Sequence, residues 1–399
     1  MIVYLILQYL IITLLGLGTL YILLFSVAGL FYRQRKYLNT RFYKKIAVLI
    51  PGYKEDAVIV EVASAALKQQ YPKDRFDVVV IADSFQKETL EVLRLLPVKL
   101  IEVSFDKSTK SKALNRAMAQ LNDAYDIAVV LDADNIMADD FLAKVNTAFE
   151  EDYVAVQGHR VAKNTNNSWA ILDAISEEIN NHIFRKGHRV LGLSSAIIGS
   201  GMAFRYNYFK KMMATATAVG GFDKEIELKI LKQGHTIAYL NDAYVYDEKI
   251  QQAEVFSNQR RRWLSAQFHY FRYGFPNAVK HLFINGNVDY FDKAIQFIQP
   301  PRVLLLGTIF LLGAFFTLLN TWLGVGKSVS LCWLVLSAGC VLALLLAVPR
   351  MYFKMRTVKA LAGLPKGMLL MLGSLLRIKG ANKTFIHTRH NSTTINTRY

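Results

Sequence analysis

At 399 residues the chain exceeds one small domain, and 53% of its side chains are apolar. Its net charge of +17 raises nucleic acid as a ligand. However, the basic residues gather beside apolar runs, with no zinc-finger spacing or RNA-binding motif, and match anionic lipid headgroups better. Two cysteines, Cys332 and Cys340, both inside one apolar run, exclude a disulfide framework and a thiolate metal site.

Residues 2–32 contain no charged side chain. At about 1.5 Å per residue, such a run crosses a hydrocarbon core of roughly 30 Å with room for tilt. The start, Met1-Ile2-Val3-Tyr4, lacks a basic segment, and Phe31-Tyr32 is no small-residue cleavage site. A retained helix is expected rather than a cleaved signal.

From about residue 44 the pattern becomes one of short strands and helices. Ile46-Ala47-Val48-Leu49-Ile50 reads as a buried parallel strand, broken by Pro51-Gly52-Tyr53. A helix is expected over 58–69, a turn at Tyr71-Pro72-Lys73-Asp74, and a strand over 76–82 ending at Asp83. Helix over 88–96, strand over 98–103, helix over 113–122 and strand over 127–131 follow, the last ending at Asp132. This alternation predicts an α/β, Rossmann-like domain whose ligand crevice lies outside the carboxyl ends of the strands.

Two further spans are expected over 303–323 and 329–348, joined by Gly324-Val325-Gly326-Lys327. The run 368–376 is too short to cross. With Lys366, Arg377 and Lys379 beside it, that run is expected to lie in the interface. Arg33, Arg35, Lys36, Arg41, Lys44 and Lys45 follow the first span, and Arg350, Lys354, Arg356 and Lys359 follow the third. The turn between the last two spans carries only Lys327. The positive-inside rule puts the middle region and the tail in the cytoplasm and the N-terminus outside. The polar tail, 381–399, is expected to be partly disordered.

Several polar residues stand at these strand ends. Asp132-Ala133-Asp134 offers two carboxylates that can share a hard divalent cation, magnesium or manganese, with phosphate oxygens. The ion would stabilise charge on a departing nucleotide diphosphate. About one such spacing is expected by chance in a chain this long, and turn capping is the alternative. Asp83 suits a base or ribose. Lys110, before a helix, suits a phosphate. Glu225, in Gly220-Gly221-Phe222-Asp223-Lys224-Glu225-Ile226-Glu227-Leu228, either complements a helix dipole or acts as a general base. Gln259, Arg262 and Trp263, spaced i, i+3, i+4, share one helix face. Arginine can hold a diphosphate and tryptophan a sugar ring, although a basic-aromatic interfacial helix gives the same pattern.

In this order the residues resemble glycosyltransferase family 2, in particular its membrane-bound branch of cellulose, chitin and hyaluronan synthases and ceramide glucosyltransferase. The likeness runs from about Ile46 to Trp263. It implies that Pro51, Tyr53 and Glu55 belong to the loop that holds uracil. Gln69-Gln70-Tyr71-Pro72 looks like the next motif, and Asp83 would be a nucleoside contact. Lys110 and Ala113-Leu114-Asn115 match a further block, in which the lysine would meet the diphosphate, and Asp132 and Asp134 would hold the metal. Gly199-Ser200-Gly201 with Phe204-Arg205 would line the acceptor side, and Gln259, Arg262 and Trp263 fit the family's Q-x-x-R-W motif.

One departure stands out. The family has Thr-Glu-Asp where this chain, aligned on Ile226-Glu227-Leu228, has Asp223-Lys224-Glu225. Glu225 then stands for the base, with Glu227 in reserve, and transfer from a UDP-sugar with inversion remains feasible. The expected division is a membrane helix to 32, a catalytic domain over 33–265, interfacial helices over 266–299, two spans over 300–349 and a tail from 350. The acceptor is a polysaccharide, with accessory membrane subunits or an oligomer to complete a channel, or a lipid glycosylated once. A scaffold or transporter without activity predicts ionisable residues inside the spans, and 303–323 and 329–348 contain none.

Overall fold

The computed structural model describes residues 1–34, 42–218, 220–378 and 395. Arg35, Lys36, Arg41, Lys379 and nearly all of the tail from which disorder was expected lie outside the described residues. Helix α1 (Ile2–Gly29) leads into a unit built from β1 (Ile46–Tyr53), α2 (Ile59–Ala66), β2 (Phe76–Asp83), α3 (Lys87–Arg94), β3 (Lys99–Val103), α4 (Lys110–Gln120) and β4 (Ile127–Val130). There follow β5 (Ile136–Met137), α5 (Phe141–Ala148), β6 (Ala155–Ala162), α6 (Ser168–Asn181), α7 (His188–Val190), β7 (Met202–Arg205), α8 (Tyr206–Ala214), α9 (Phe222–Lys232) and β8 (Ile237–Asp247). Helices α10 (Ala253–Asn285), α11 (Val288–Ile298), α12 (Arg302–Trp322), α13 (Lys327–Ala347), α14 (Met355–Leu361) and α15 (Leu364–Leu376) complete the chain.

The expected α/β alternation forms one eight-stranded sheet of order β3-β2-β1-β4-β7-β6-β8-β5. The first four strands are parallel, whereas β7 runs antiparallel to both β4 and β6. Ile46 to Ile50 are fully buried, as a strand covered on both faces requires. Pro51 does not break β1. The strand pairs with β4 only as far as Leu49 opposite Val130, and then continues along β2 to Tyr53 opposite Asp83. A missing N–H costs little where one neighbour has ended. Helix α4 starts three residues earlier than the pattern predicts, because the Thr109 side chain accepts the Lys112 N–H at 3.2 Å. Helix α10 is continuous through residue 265 and Pro276, and ends at Gly286 in the left-handed region.

Helices α1, α12 and α13 are each long and apolar enough to cross a membrane, and α14 with α15 passes the same test as a pair bent by 47°. Their interior is filled by Ile309, Phe316, Trp333 and Cys340. Gln8 and Asn320 join the three helices through hydrogen bonds of 2.9 Å to each other and 3.2 Å from Trp333 Nε1 to Gln8. The far end of α1 seats on a π-helical turn, 182–187. A Cβ at Gly187 would lie 2.2 Å from the Phe25 carbonyl, so only glycine admits this approach. Phe25 stacks on His188 with ring centroids 3.7 Å apart.

Candidate active site

The first two strands stop together, and both chains turn through the left-handed region on side-chain-bearing residues, Lys54 at φ 54° and Ser84 at φ 60°. Such backbone is disfavoured and gathers at functional positions. The turns interlock: Lys54 N–H donates to the Asp83 carbonyl at 3.1 Å, and the Ser84 hydroxyl donates to the Asp83 carboxylate at 2.9 Å. Asp83 is buried, whereas Pro51, Tyr53 and Glu55 are half-buried at the mouth. The structure therefore brings these four residues to one edge.

Beside them, the main chain leaves β4 at Asp132. Its N–H donates to Ser200 Oγ at 2.9 Å. Ser200 donates to Asn135 Oδ1 at 2.7 Å, and Asn135 Nδ2 donates to Asp247 Oδ1 at 3.0 Å. Gly201 reaches β4 with its N–H 2.9 Å from the Val130 carbonyl. Its φ is 62°, and a Cβ there would meet Val245 at 2.8 Å. Lys110, in the first turn of α4, ion-pairs with the Asp132 carboxylate. Its ammonium also donates to the Gly199 carbonyl at 2.6 Å and lies over the Phe222 ring. Asp134 is buried, and its carbonyl accepts from Lys163. Burial holds the Lys163 ammonium below the ordinary lysine range.

Helix α9 presents three carboxylates, Asp223 and Glu227 on one side and Glu225 on the other. Glu225 accepts from the N–H groups of Thr217 and Ala218 at 3.2 and 2.9 Å, and pairs with Lys229 at 2.7 Å. Glu227 is buried, 2.8 Å from Lys293 Nζ. Burial pushes its carboxyl above the ordinary value, against the pull of Lys293. Asp223 meets the acceptor-side loop: a Cβ at Gly199 would stand 3.9 Å from its Cβ and Cγ. Asp223 thus adjoins the segment that Lys110 and Asp132 hold.

The Gln259 to Trp263 stretch lies on α10, which closes over the start of α9. Ala266 and Tyr270 stand 3.1 and 3.4 Å from where a Cβ on Gly221 would be. Arg260, between the motif positions, is sandwiched by the Phe256 and Trp263 rings at 4.9 and 4.4 Å. It donates to Asp173 at 2.5 Å. One Trp263 face is therefore taken by an arginine. Burial lowers the Arg262 guanidinium from its ordinary range, and Gln259 Oε1 is buried with no hydrogen-bond partner among the described residues.

A charge network that sequence reasoning missed supports this floor. Arg160 donates to Glu177 at 2.8 Å, Arg185 lies 3.5 Å from the same carboxylate, and Lys249 pairs with Asp247 at 2.7 Å. Burial works to raise Glu177, but Arg160, Lys249 and Arg185 outweigh it and hold the carboxyl down at about 2. An aspartate ending a strand, as Asp247 does, was the one available signal.

The family described as "Glycosyltransferase like family 2" matches residues 44–266. A probable glycosyltransferase of Bacillus subtilis, YdaM, is 26% identical over 236 residues, 56% of this chain and 56% of that protein. A beta-monoglucosyldiacylglycerol synthase of Trichormus variabilis is 24% identical over 262 residues, 62% of this chain and 56% of that protein. The alignments thus span little more than half the length of these curated relatives. Among solved structures, the mannosyltransferase PcManGT of Pyrobaculum calidifontis, in complex with GDP-Man and Mn2+, shares the fold. Its TM-score is 0.52 at 17% identity, over 85% of this chain and 97% of that one.

Proposed function

The chain belongs to glycosyltransferase family 2, and from that premise we propose that it transfers one sugar from a UDP-sugar to a lipid or lipid-linked acceptor, with inversion, at the cytoplasmic face of a membrane. The observation that carries this reading is the convergence of Lys110, Asp132 and Asp223 on the Gly199 segment. In the proposed assignment Pro51, Tyr53, Glu55 and Asp83 hold the nucleoside, and Lys110 with the N-terminus of α4 meets the diphosphate. Asp223, rather than Glu225, takes the proton of the acceptor hydroxyl. The freed oxygen pair bonds to the anomeric carbon as the bond to the diphosphate oxygen breaks on the opposite face. Gly201, Gln259, Arg262 and Trp263 line the acceptor side.

The carboxylates of Asp132 and Asp134 are hard oxygen donors, suited to magnesium or manganese. Among the described residues no third His, Cys, Asp or Glu joins them in a metal-sized group, so the donor set fits an ion shared with phosphate oxygens. When bound, the ion supplies neutralising charge for the departing diphosphate.

A lipid acceptor is favoured by the packed interior of the apolar helices, which a polymer channel would need open. It is also favoured by α10, which exposes Phe268, Tyr273, Phe283 and Ile284, and by the glycolipid product in one relative's name. A cytoplasmic catalytic region, residues 33–265, is favoured by the positive-inside rule applied to Arg33, Arg350, Lys354, Arg356 and Lys359. The test is nucleotide diphosphate release by detergent-purified protein from a panel of UDP- and GDP-sugars, with magnesium, manganese or EDTA. Release from one donor that requires metal and vanishes in Asp134→Asn supports the reading, and product sizing then separates single from repeated addition. Failure of the protein to bind any of the nucleotides would count against it.

A further inference from the structure

Helix α11 lies outside the site, yet its single lysine reaches the scaffold of the site. Lys293 Nζ and Glu227 Oε1 are 2.8 Å apart, at 7% and 2% side-chain exposure. Glu227 stands one turn after Asp223 on α9. Its Oε1 also accepts the Ile197 N–H at 3.2 Å, at the start of the segment that carries Gly199, Ser200 and Gly201. In the other direction, Lys293 donates to Gln296 Oε1 at 2.9 Å, and Gln296 donates to Asp292 at 2.8 Å. Asp292 accepts from the Tyr21 hydroxyl of α1 at 2.7 Å and lies 3.2 Å from His188. A continuous set of contacts therefore joins an apolar helix to the loop against which Asp223 and Lys110 stand.

We propose that Glu227 and Lys293 are a positioning pair: they fix the 197–201 segment relative to Asp223 and tie both to the membrane-flanking helices. A buried ion pair contributes little net stability compared with apolar side chains of similar volume, so its value lies in the geometry it imposes. Neither residue touches the reacting atoms. Without the Lys293 ammonium, Glu227 is left as a buried carboxylate whose remaining hydrogen bond among the described residues is to the Ile197 amide. Its rotamer, and the loop it holds, are then free to shift. A misplacement of about 1 Å at a reacting group costs roughly a hundredfold in rate. The kinetic part of this proposal rests on the sugar-transfer reading, whereas its structural part does not.

The experiment uses the full chain in detergent, with Lys293→Met, Glu227→Gln, Lys293→Arg and the double variant Glu227→Leu/Lys293→Met. Hydrogen exchange followed by mass spectrometry reads the segment 195–205. Exchange there is expected to quicken at least tenfold in Lys293→Met and Glu227→Gln, with β1 and β2 unchanged. For the donor turned over among UDP-glucose, UDP-N-acetylglucosamine and GDP-mannose, kcat falls at least tenfold with donor KM within twofold. Lys293→Arg, which keeps the charge, recovers most of that loss. Should the single variants fold poorly, the double variant retains a filled, uncharged interior and carries the same test. Wild-type exchange at 195–205 in a folded variant lacking the pair, or kcat within twofold of wild type, overturns the proposal. If the wild type turns over no donor, the sugar-transfer reading fails, and the exchange measurement still decides this one.

Discussion

The two halves of the sheet do different work with different materials. Strands β3, β2, β1 and β4 are parallel, and the core of β1, β2 and β4 is aliphatic: Ile46 to Ile50, Val78 to Ala82 and Ile127 to Val130 are all buried. Strand β6, in the other half, is buried at all eight positions, yet Gln157, His159 and Arg160 stand within it. Strand β8 ends on Asp247, which is tied to Lys249 and Asn135. The first half rests on removal of apolar area from water, a non-directional effect. The second adds to its own apolar core, Met202, Phe204, Ile237, Leu240 and Val245 among it, a set of paired charges whose worth depends on each partner's position. The proposed nucleoside contacts extend from the aliphatic half. The Asp132 turn and the Gly199 to Gly201 segment lie at the seam and lean on the ionic half.

The largest expected effect sharpens the chemistry at that seam. Asp223→Asn should lower kcat by about a hundred- to ten-thousand-fold, the usual worth of a general base, with nucleotide binding retained in a titration. Glu225→Gln should keep kcat within about tenfold and lose about 1 kcal/mol of stability through its weakened hold on Thr217, Ala218 and Lys229. An inactive Glu225→Gln beside an active Asp223→Asn would restore Glu225 as the base.

Next in size is a test of the ionic half. Arg160→Met removes a buried partner from Glu177 and Asp247 and should cost about 3–5 kcal/mol, seen as a fall in Tm of roughly 10 °C. The pH dependence gives the sign. Glu177 is held at about 2, below its ordinary 4.5, so its stabilisation is complete above pH 4.5 and is lost as pH falls toward 2. Arg160 is the largest favourable influence on that carboxyl. The Tm gap between wild type and variant should therefore be wide at pH 6 and narrow at pH 3. A gap independent of pH would show that the cost is one of packing rather than of charge.

The contrast also governs what the sequence makes legible. Strands β1, β2 and β4 announce themselves as aliphatic runs, and Asp83, Lys110 and Asp132 stand out as candidates because they end or follow strands or open a helix. The ionic half has no local signature: Arg160 and Glu177 are 17 residues apart, and Asn135 and Asp247 are 112 apart. The residue proposed as base is not singled out by the sequence, for a geometric reason. Successive residues on a helix turn by about 100°, so Asp223 and Glu225 point roughly 160° apart, whereas Glu227 returns to within about 40° of Asp223. Alignment on the apolar pattern of α9 cannot say which side meets the loop. The structure puts Gly199 on the Asp223 side, and Ile197 with Glu227.

The smallest effect tests the aliphatic half. Ile81→Val, in a fully buried position opposite Pro51, removes one methylene and should cost about 0.5–1.5 kcal/mol, with donor binding and kcat unchanged. Val80→Thr, next to it and equally buried, conserves volume but places a hydroxyl among aliphatic neighbours, and should cost about 1–3 kcal/mol. Thermal melts of the two in one detergent would rank them. If Ile81→Val matched Arg160→Met in cost, position would matter as much in the first half as in the second, and the division between the halves would fail. If Val80→Thr proved the worse of this pair while both stayed below Arg160→Met, polarity would be what the aliphatic half excludes and the ionic half requires.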